Sequence, residues 1–289
     1  MGRALRLGGQ TFGPDELVVM AIVNRTPDSF FDRGATYHPD DALRAVERAV
    51  AEGARIVDIG GVKAGPGAEV DATEEIRRTV ATIAAVRAEF PEVVISIDTW
   101  RAVVAVEAVA AGADLLNDAW AGADPALAQV AAETGAGLVC SHAGGLAPRT
   151  RPHRPAFDDV VADTLDTVTG LAERAVDLGV RPDGILIDPA HDFGKNTRHS
   201  LELTRRLDRL AATGWPVLVA LSNKDFVGET LDLPVDQRLE GTLAATAVSA
   251  WLGARVFRAH QVRQTRRVLD MVASIRGDRP PAVSRRGLA

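Results

Sequence analysis

Three polar side chains, Asp98, Asn117 and Asp188, each come at the end of a short apolar run rich in Val, Ile and Leu. The two carboxylates only accept hydrogen bonds, whereas the carboxamide both donates and accepts them. Together they suit the edge of a flat heterocycle that has an amino group beside ring nitrogens, such as a pterin or a guanine. The same three residues are compatible with two other kinds of site: a carboxylate pair for glycoside hydrolysis, and a metal site of Asp and Asn oxygens.

The rest of the sequence favours neither alternative. No apolar aromatic segment adjoins the two carboxylates, so the sequence does not indicate the raised pKa that an acid catalyst of glycoside cleavage needs. The chain has no HExxH motif or similar cluster, and its one cysteine, Cys140, lies in the apolar run GLVC. A lone cysteine forms neither an internal disulfide nor a cysteine zinc site. We therefore expect a buried structural thiol and no protein-held zinc.

A second group of side chains is cationic or neutral: Asn24, Lys224, Arg258 and His260. Arg258 and His260 are two residues apart, so on a strand both project to the same side. That arrangement suits a phosphate or a diphosphate. A magnesium ion that bridges Asn24 and phosphate oxygens also fits, because magnesium prefers oxygen ligands and keeps most of its waters. Magnesium is therefore the predicted cofactor.

Eight apolar runs alternate with longer stretches rich in Ala, Arg and Glu, and the residues above stand at or near the ends of these runs. Continuous rather than alternating apolar runs are typical of strands buried on both faces. Eight strand–helix units in about 250 residues predict a (β/α)8 or TIM barrel, whose active site lies at the carboxyl ends of the strands. The predicted strands are 17–23, 55–60, 93–98, 114–118, 137–142, 184–189, 216–222 and 255–260. The predicted helices lie near 40–52, 70–89, 101–111, 125–134, 157–179, 198–213, 236–252 and 262–276.

The pattern predicts a single α/β domain over residues 1–276. Residues 1–16, with turns at Gly8-Gly9 and Gly13-Pro14, are expected to form a short N-terminal hairpin or plug at the bottom of the barrel. Residues 277–289 are expected to form a flexible C-terminal tail.

Composition and charge narrow the class of protein. Hydrophobic residues make up 46% and charged residues 25%, as in an ordinary globular domain, and the net charge of −6 argues against a nucleic-acid surface. No apolar stretch approaches the roughly 18 residues of a membrane span, and the N-terminus lacks the apolar core of a signal peptide. We expect a cytoplasmic protein with small-molecule ligands, no nucleic acid and no membrane partner. The arginine-rich segment 149–155 is then a solvated loop.

Six segments resemble, in order, motifs of the dihydropteroate synthase family. MAIVNRTPDSFFDRG is similar to the family's first-strand motif, an apolar run followed by Asn and Thr-Pro-Asp-Ser-Phe. ISIDT, LND, IDPAHDFGK, LSNK and FRAH are similar to its later strand ends, so the resemblance covers almost the whole chain. The family is a homodimeric (β/α)8 enzyme of folate synthesis. It condenses 6-hydroxymethyl-7,8-dihydropterin diphosphate with para-aminobenzoate and releases diphosphate, with magnesium assisting.

By position, the resemblance implies a role for each of the residues above. The pterin would be held by Asp98, Asn117, Asp188 and Lys224. The diphosphate would be held by Asn24, Lys63, Arg258 and His260, with the magnesium ion on Asn24. An SN1-like loss of diphosphate, followed by attack of the arylamine, would use Asp98, Lys224, Arg258 and His260. The second substrate would lie near Ser222, Phe193 and Pro66.

One loop departs from the family pattern. After the second strand the family reads Gly-Gly-Glu-Ser-Thr-Arg-Pro-Gly, whereas residues 60–67 read GGVKAGPG, so Ala64 and Gly65 replace the Thr and the Arg. Lys63 restores one charge two residues early, without the bidentate fork of an arginine. Smaller departures occur at Asp192, Asn223 and Gln261. The chain thus resembles a divergent second-copy synthase of actinobacterial type.

These departures predict a synthase with weak activity, and the alternative is a catalytically inactive pterin-binding paralogue with a regulatory or partner role. A third interpretation is a barrel methyltransferase that binds methyltetrahydrofolate, although such enzymes do not typically carry the TPDSF loop or the Arg-x-His ending. We also expect residues 26–29 to form a mobile active-site loop. His142 should support the site, His191 should be either a ligand contact or a solvated loop residue, and the four tryptophans should pack in the core or between helices.

Overall fold

The computed structural model describes residues 3–27, 34, 36–150 and 156–287. Parts of four predictions lie outside these residues: residues 1 and 2 of the N-terminal hairpin, residues 28 and 29 of the active-site loop, residues 151–155 of the arginine-rich segment, and the last two residues of the tail. The described chain opens with an antiparallel hairpin of β1 (Leu5–Leu7) and β2 (Gln10–Phe12). This confirms the predicted N-terminal hairpin.

Eight parallel strands follow in the described chain, and each coincides with a predicted apolar run. Each pairs with its sequence neighbour from β3 to β8, while β10 lies between β3 and β9. The last gap closes where the Ile187 N–H donates to the Pro216 carbonyl at 3.0 Å, beside a parallel bridge from Ile187 to Val217. The strands are β3 (Val18–Asn24), β4 (Ile56–Gly60), β5 (Val94–Asp98), β6 (Leu115–Asp118), β7 (Gly137–Ser141), β8 (Ile185–Asp188), β9 (Leu218–Ala220) and β10 (Val256–Ala259).

Helices cover the outside of the barrel close to the predicted positions. Asp71 and Asp159 cap two of them, each accepting hydrogen bonds from backbone N–H groups of the first turn. The helices are α1 (Pro39–Ala51), α2 (Ala72–Glu89), α3 (Ala102–Ala110), α4 (Ala126–Thr134), α5 (Val160–Asp177), α6 (Thr197–Arg205), α7 (Leu207–Ala211), α8 (Asp225–Leu231), α9 (Leu239–Trp251) and α10 (Val262–Arg276).

Two features of the helical layer differ from the sequence prediction. The helix predicted over 198–213 is divided at Arg206, which has φ −109° and ψ 23° and separates α6 from α7. The short helix α8, directly after Lys224, was not predicted because seven residues are too few to show an apolar period. Helix α8 begins at the carboxyl end of β9, so its N-terminus lies at the site end of the barrel.

The apolar core has two layers. The larger one lies between the strands and the helices and includes Cys140, which is buried as predicted. The smaller one fills the lower half of the barrel, where Leu5, Leu7 and Phe12 of the hairpin pack against inward-facing residues of the eight strands. The hairpin therefore closes the bottom of the barrel, and only the carboxyl ends of the strands are left to form a site. In the described residues, no helix is long and apolar enough to cross a membrane.

Candidate functional site

A cavity of about 90 Å³ lies at the carboxyl ends of the strands. It brings together nine of the residues singled out in the sequence, drawn from seven of the eight parallel strands or the loops that follow them. These are Asn24, Lys63, Asp98, Asn117, Asp188, Phe193, Lys224, Arg258 and His260. Apolar contacts to the same cavity come from Ile22, Val62, Ala119 and Ala220. Asp98, Asn117 and Asp188, the residues predicted to hold a heterocycle, form one wall of this cavity, the heterocycle wall. The residues predicted to hold an anion form a second, the anion wall, which consists of Asn24, Lys224, Arg258 and His260.

Two residues predicted for the second substrate do not line this cavity in the described chain. Pro66 is exposed in the loop after β4. Ser222 is buried behind His260, where its hydroxyl lies 2.9 Å from the histidine Nδ1. Asn223 and Gln261 lie in the same layer, with 3.3 Å between the Asn223 Nδ2 and the Gln261 Oε1. Ser222, which is also hydrogen-bonded to Gln261, therefore supports His260 from behind instead of lining the cavity.

Asp58 is a buried residue beside the cavity to which the sequence analysis assigned no role. It lies inside β4 and is completely buried. Its carboxylate accepts hydrogen bonds from Ser96 Oγ at 2.6 Å, Asn117 Nδ2 at 3.1 Å and Arg258 Nε at 2.6 Å. One buried carboxylate thus fixes a side chain from each wall of the cavity. The sequence signal was the one charged residue in the otherwise apolar run IVDIG.

Arg258 forms ion pairs with two carboxylates at once. Its Nε lies 2.6 Å from Asp58 Oδ2 and its Nη2 lies 2.8 Å from Asp98 Oδ2. Burial raises the pKa of Asp98 to about 7, although Arg258 acts in the opposite direction. The sequence had given no indication of a raised pKa here, because the burial comes from the barrel and not from neighbouring aromatic residues.

Asp188 and the loop after it have a constrained geometry. Asp188 Oδ1 accepts a hydrogen bond from the Ala190 N–H at 2.7 Å, and Ala190 has a left-handed φ of 48°. Burial raises the pKa of Asp188, while the nearby Lys224 lowers it. Gly194 has φ +62°, and a Cβ there would lie 2.3 Å from the Ala143 carbonyl oxygen. Only glycine therefore fits at this point of the loop.

The two lysines of this region have different roles. Lys224 Nζ lies 4.8 Å from the centre of the Phe193 ring, in cation–π range, and donates a hydrogen bond to the His191 carbonyl. Lys195 is buried and donates to the carbonyls of His142, Ala190 and Phe193 at 2.7, 3.2 and 2.8 Å. Lys195 therefore fixes the loop that carries Phe193, whereas Lys224 faces the cavity.

The Phe193 ring also packs edge-to-face on Trp120, with 5.0 Å between the ring centres. Trp120 and Trp215 are buried as predicted, but the prediction for Trp251 is wrong, because 58% of this residue is exposed.

The histidines of this region are neutral supports. Burial lowers the pKa of His260 to about 3 and that of His142 to about 4. His142 directly follows β7, and its Nε2 lies 2.6 Å from Asp163 Oδ1 of α5. His191 is completely buried, stacks on Phe226 and lies 3.0 Å from Thr204 Oγ1, so neither predicted alternative for it is correct.

Arginines hold the loop after β4 from its two ends. The Arg78 guanidinium donates to the Gly61 carbonyl at 3.0 Å, and Arg101 donates to the Val70 carbonyl at 2.8 Å. Arg101 also pairs with Glu75 of α2, a completely buried carboxylate. Between these two anchors, the loop places Val62, Lys63 and Ala64 at the cavity.

The described residues do not form a metal site by themselves. No group of three or more His, Cys, Asp or Glu in the described ranges could hold an ion. Asn24 lines the cavity and is a single carboxamide residue, and the hydroxyl of Thr36 donates to the Asn24 backbone carbonyl at 2.6 Å. A magnesium ion here would therefore depend on oxygens of a ligand.

Sequence comparison extends these observations beyond the single chain. A profile of the family described as "Pterin binding enzyme" matches residues 20–260. The chain belongs to the pterin-binding enzyme family. Within this family it is 59% identical over 287 residues to the "Inactive dihydropteroate synthase 2" of Mycobacterium leprae, which covers 98% of this chain and 99% of that protein. It is 38% identical over 260 residues to the dihydropteroate synthase of Bacillus subtilis, covering 89% and 88% of the two chains.

Solved structures agree with the family assignment. The dihydropteroate synthase of Yersinia pestis, crystallised with a sulfonamide drug complex, superposes with a TM-score of 0.89 at 34% identity. The match covers 96% of this chain and 100% of that one. As a pterin-binding family member, the chain has the (β/α)8 barrel predicted from its eight apolar runs.

Proposed function

We propose that this protein binds a pterin at the mouth of its barrel and condenses it with para-aminobenzoate weakly or not at all. The observation that carries the proposal is the convergence of Asp98, Asn117, Asp188 and Lys224 on one cavity. Two carboxylates, a carboxamide and a cation supply the acceptors and donors that an aminopyrimidinone edge requires. Membership of the pterin-binding family supports the same ligand.

The loop after β4 accounts for the weak condensation. Departure of diphosphate needs hydrogen-bond donors that are already in place, and loss of one such donor commonly reduces the rate by about 10²–10³. Val62 and Ala64 offer no side-chain donor to the cavity, and Lys63 offers a point charge rather than a planar fork. The name of the M. leprae relative, an inactive synthase, supports the same conclusion.

Magnesium remains part of the proposal only for a phosphorylated ligand. Asn24 would supply one oxygen and the ligand's phosphate the others, which accords with the absence of a three-residue metal cluster in the described chain. A pterin without phosphate needs no metal in this site.

The pterin assignment is tested by calorimetric titration of the full chain with 6-hydroxymethyl-7,8-dihydropterin. Asp188→Ala should weaken binding at least about tenfold, because it removes a charge-assisted hydrogen bond in a buried site. Asp236→Ala, on an exposed part of the chain, is the matched control and should bind as the wild type does. Equal affinities for wild type and Asp188→Ala would contradict the assignment.

We also propose that the protein is a homodimer in the cytoplasm. Four large apolar side chains on the neighbouring helices α9 and α10 are about half exposed or more: Val248, Trp251, Met271 and Ile275. The two helices are held together at their carboxyl ends, where Arg276 Nη1 donates to the Ala250 carbonyl at 3.2 Å. Exposed apolar groups on adjacent helices favour a protein–protein contact.

The lone cysteine is buried and unpaired, which accords with a reducing compartment such as the cytoplasm.

A further inference from the structure

We propose that the groove between helices α4 and α5 is a second ligand site, which binds a small aromatic carboxylic acid with a hydrogen-bond donor opposite its carboxylate. The groove lies on the outside of the barrel and has a volume of about 350 Å³, against about 90 Å³ for the cavity at the strand ends. Volumes of roughly 300–1,000 Å³ are typical of small-molecule sites. The proposal does not depend on pterin binding, because no described residue lines both spaces.

The floor and the sides of the groove are mainly apolar. Helix α4 has 9 residues and α5 has 18, so α4 covers less of the sheet than its neighbour does. Cys140 of β7 lies on the floor, and Ala128 of α4 faces Leu171 and Ala175 of α5. Further apolar contacts come from Leu127, Leu138 and Leu178. An aromatic ring suits this space, because it buries a large apolar area and the alanines leave room for a flat body.

Asp118 supplies an acceptor at one end of the groove. It is the last residue of β6 and is buried, and its oxygens accept hydrogen bonds from the Trp120 N–H at 2.8 Å and the Gly122 N–H at 2.6 Å. These bonds fix a turn in which Ala121 and Gly122 both have left-handed φ values, 57° and 75°. Burial raises the pKa of Asp118. The carboxyl group keeps further acceptor positions in either protonation state, so a ligand hydroxyl can donate to it.

Arg174 supplies a cation at the other end of the groove. It is exposed in the last turn of α5, which runs back toward the amino ends of the strands. Among the described residues, its guanidinium has no ion-pair or hydrogen-bond partner. Burial raises the pKa of the Cys140 thiol to about 12, the charge of Asp118 raises it further, and the charge of Arg174 lowers it. Both charged groups therefore act on the floor of the groove between them.

The two ends of the groove define the orientation of the ligand. Asp124 also lies at the end where Asp118 stands, and its oxygens accept hydrogen bonds from the Ala102 and Ala126 N–H groups at 2.8 and 3.1 Å. A ligand carboxylate is repelled from this acidic end, whereas at Arg174 it gains charge-assisted hydrogen bonds. The matching ligand therefore has a neutral donor, an apolar ring and a carboxylate in that order.

The test is a calorimetric titration of the full chain with 4-hydroxybenzoate. Arg174→Gln keeps a good helix former and removes the charge, and it should weaken binding at least about fivefold. Arg48→Gln is the matched control, because Arg48 is exposed in the last turn of α1 and does not line the groove. It should bind 4-hydroxybenzoate as the wild type does.

Two simpler ligands test the two ends of the groove separately. Benzoate lacks the hydroxyl and should bind the wild type at least about threefold more weakly than 4-hydroxybenzoate does. Phenol lacks the carboxylate, so its affinity should be the same for the wild type and for Arg174→Gln.

Each contrary result overturns a stated part of the proposal. Failure of 4-hydroxybenzoate to bind the wild type, or equal affinities for the wild type and Arg174→Gln, would overturn the site. Equal affinities for benzoate and 4-hydroxybenzoate would overturn the role of Asp118. Lys63→Ala removes a cation from the cavity at the strand ends. A loss of affinity in that variant, with none in Arg174→Gln, would place the ligand in that cavity and overturn the proposal, while leaving pterin binding intact.

Discussion

Asp58 contacts side chains from three other strands, Ser96, Asn117 and Arg258, although it does not line the cavity itself. Its neighbours differ in their predicted roles, because Asn117 belongs to the predicted heterocycle wall and Arg258 to the predicted anion wall. A single buried acceptor can therefore set the orientation of both walls. We regard Asp58 as a positioning residue.

Asp58→Asn keeps the shape of the side chain but removes the charge that pairs with Arg258. We expect a loss of at least about tenfold in affinity for hydroxymethyl-dihydropterin, because Asn117 and Arg258 lose their fixed orientations. Ser96→Ala is the matched control, since it removes one hydrogen bond of Asp58 and should reduce the free energy of unfolding by only about 1 kcal/mol. Calorimetric titration and urea denaturation of both variants check the prediction, and wild-type affinity in Asp58→Asn would contradict the positioning role.

The raised pKa of Asp98 predicts that pterin binding depends on pH. With a pKa of about 7, Asp98 gains its charge as the pH rises through neutrality and then becomes the better acceptor for a pterin N–H. Affinity should therefore increase between about pH 6 and about pH 8, and Asp98→Asn should abolish the increase.

The free energy of unfolding should depend on pH in the opposite direction. The folded state holds this proton more tightly than the unfolded chain, so the stability contributed by Asp98 is lost as the pH rises toward 7.

At the scale of elements, the loop after β4 is held at its two ends by the partly buried Arg78 and Arg101, so the altered residues 62–65 lie between two fixed points. Arg101→Ala would leave the completely buried Glu75 without its cation and should reduce the free energy of unfolding by about 3–5 kcal/mol. Arg77→Ala is the control, because Arg77 pairs with the partly exposed Glu74 on the surface of α2 and should change stability by less than about 1 kcal/mol. Urea denaturation of both variants provides the comparison, and equal losses would show that Glu75 does not depend on Arg101.

The sequence predicted most of the elements because buried strands and covering helices have different apolar periods. The same pattern could not predict α8, which is short, or the break at Arg206, which changes no apolar period. The apolar pattern did predict that nine site residues lie at one cavity, because a barrel brings the carboxyl ends of its strands together. The ion pairs of Arg258 were not predictable, since they depend on distances across the barrel between β10, β4 and β5.

The small residues of α9 do not form the proposed dimer surface. Ala245 and Ala247 pack against the protein's own core, and the exposed apolar groups of α9 are Val248 and Trp251. Spacing alone does not distinguish a helix face that packs inward from one that is left uncovered.

At the scale of the whole molecule, the exposed groups of α9 and α10 predict association. Trp251→Glu combined with Ile275→Glu places two charges on this surface and should convert the proposed dimer to a monomer in light scattering at micromolar concentration. Val103→Glu on α3, a helix on another part of the barrel, is equally exposed and should leave the dimer intact. A wild type that is already monomeric would refute the proposal.

The central claim is that the barrel holds a pterin but does not carry out the condensation efficiently. The most direct measurement is formation of dihydropteroate with the protein in excess over pterin diphosphate, at saturating para-aminobenzoate and with magnesium present. Alongside it, the four substitutions Val62→Glu, Lys63→Ser, Ala64→Thr and Gly65→Arg restore the family's loop. Gly65 has open space around a new Cβ, so the arginine fits without strain.

We expect little or no product from the wild type and at least about tenfold more from the restored loop, because donors for the leaving group are then in place. Rapid product formation by the wild type, left unchanged by Lys63→Ala, would contradict the account.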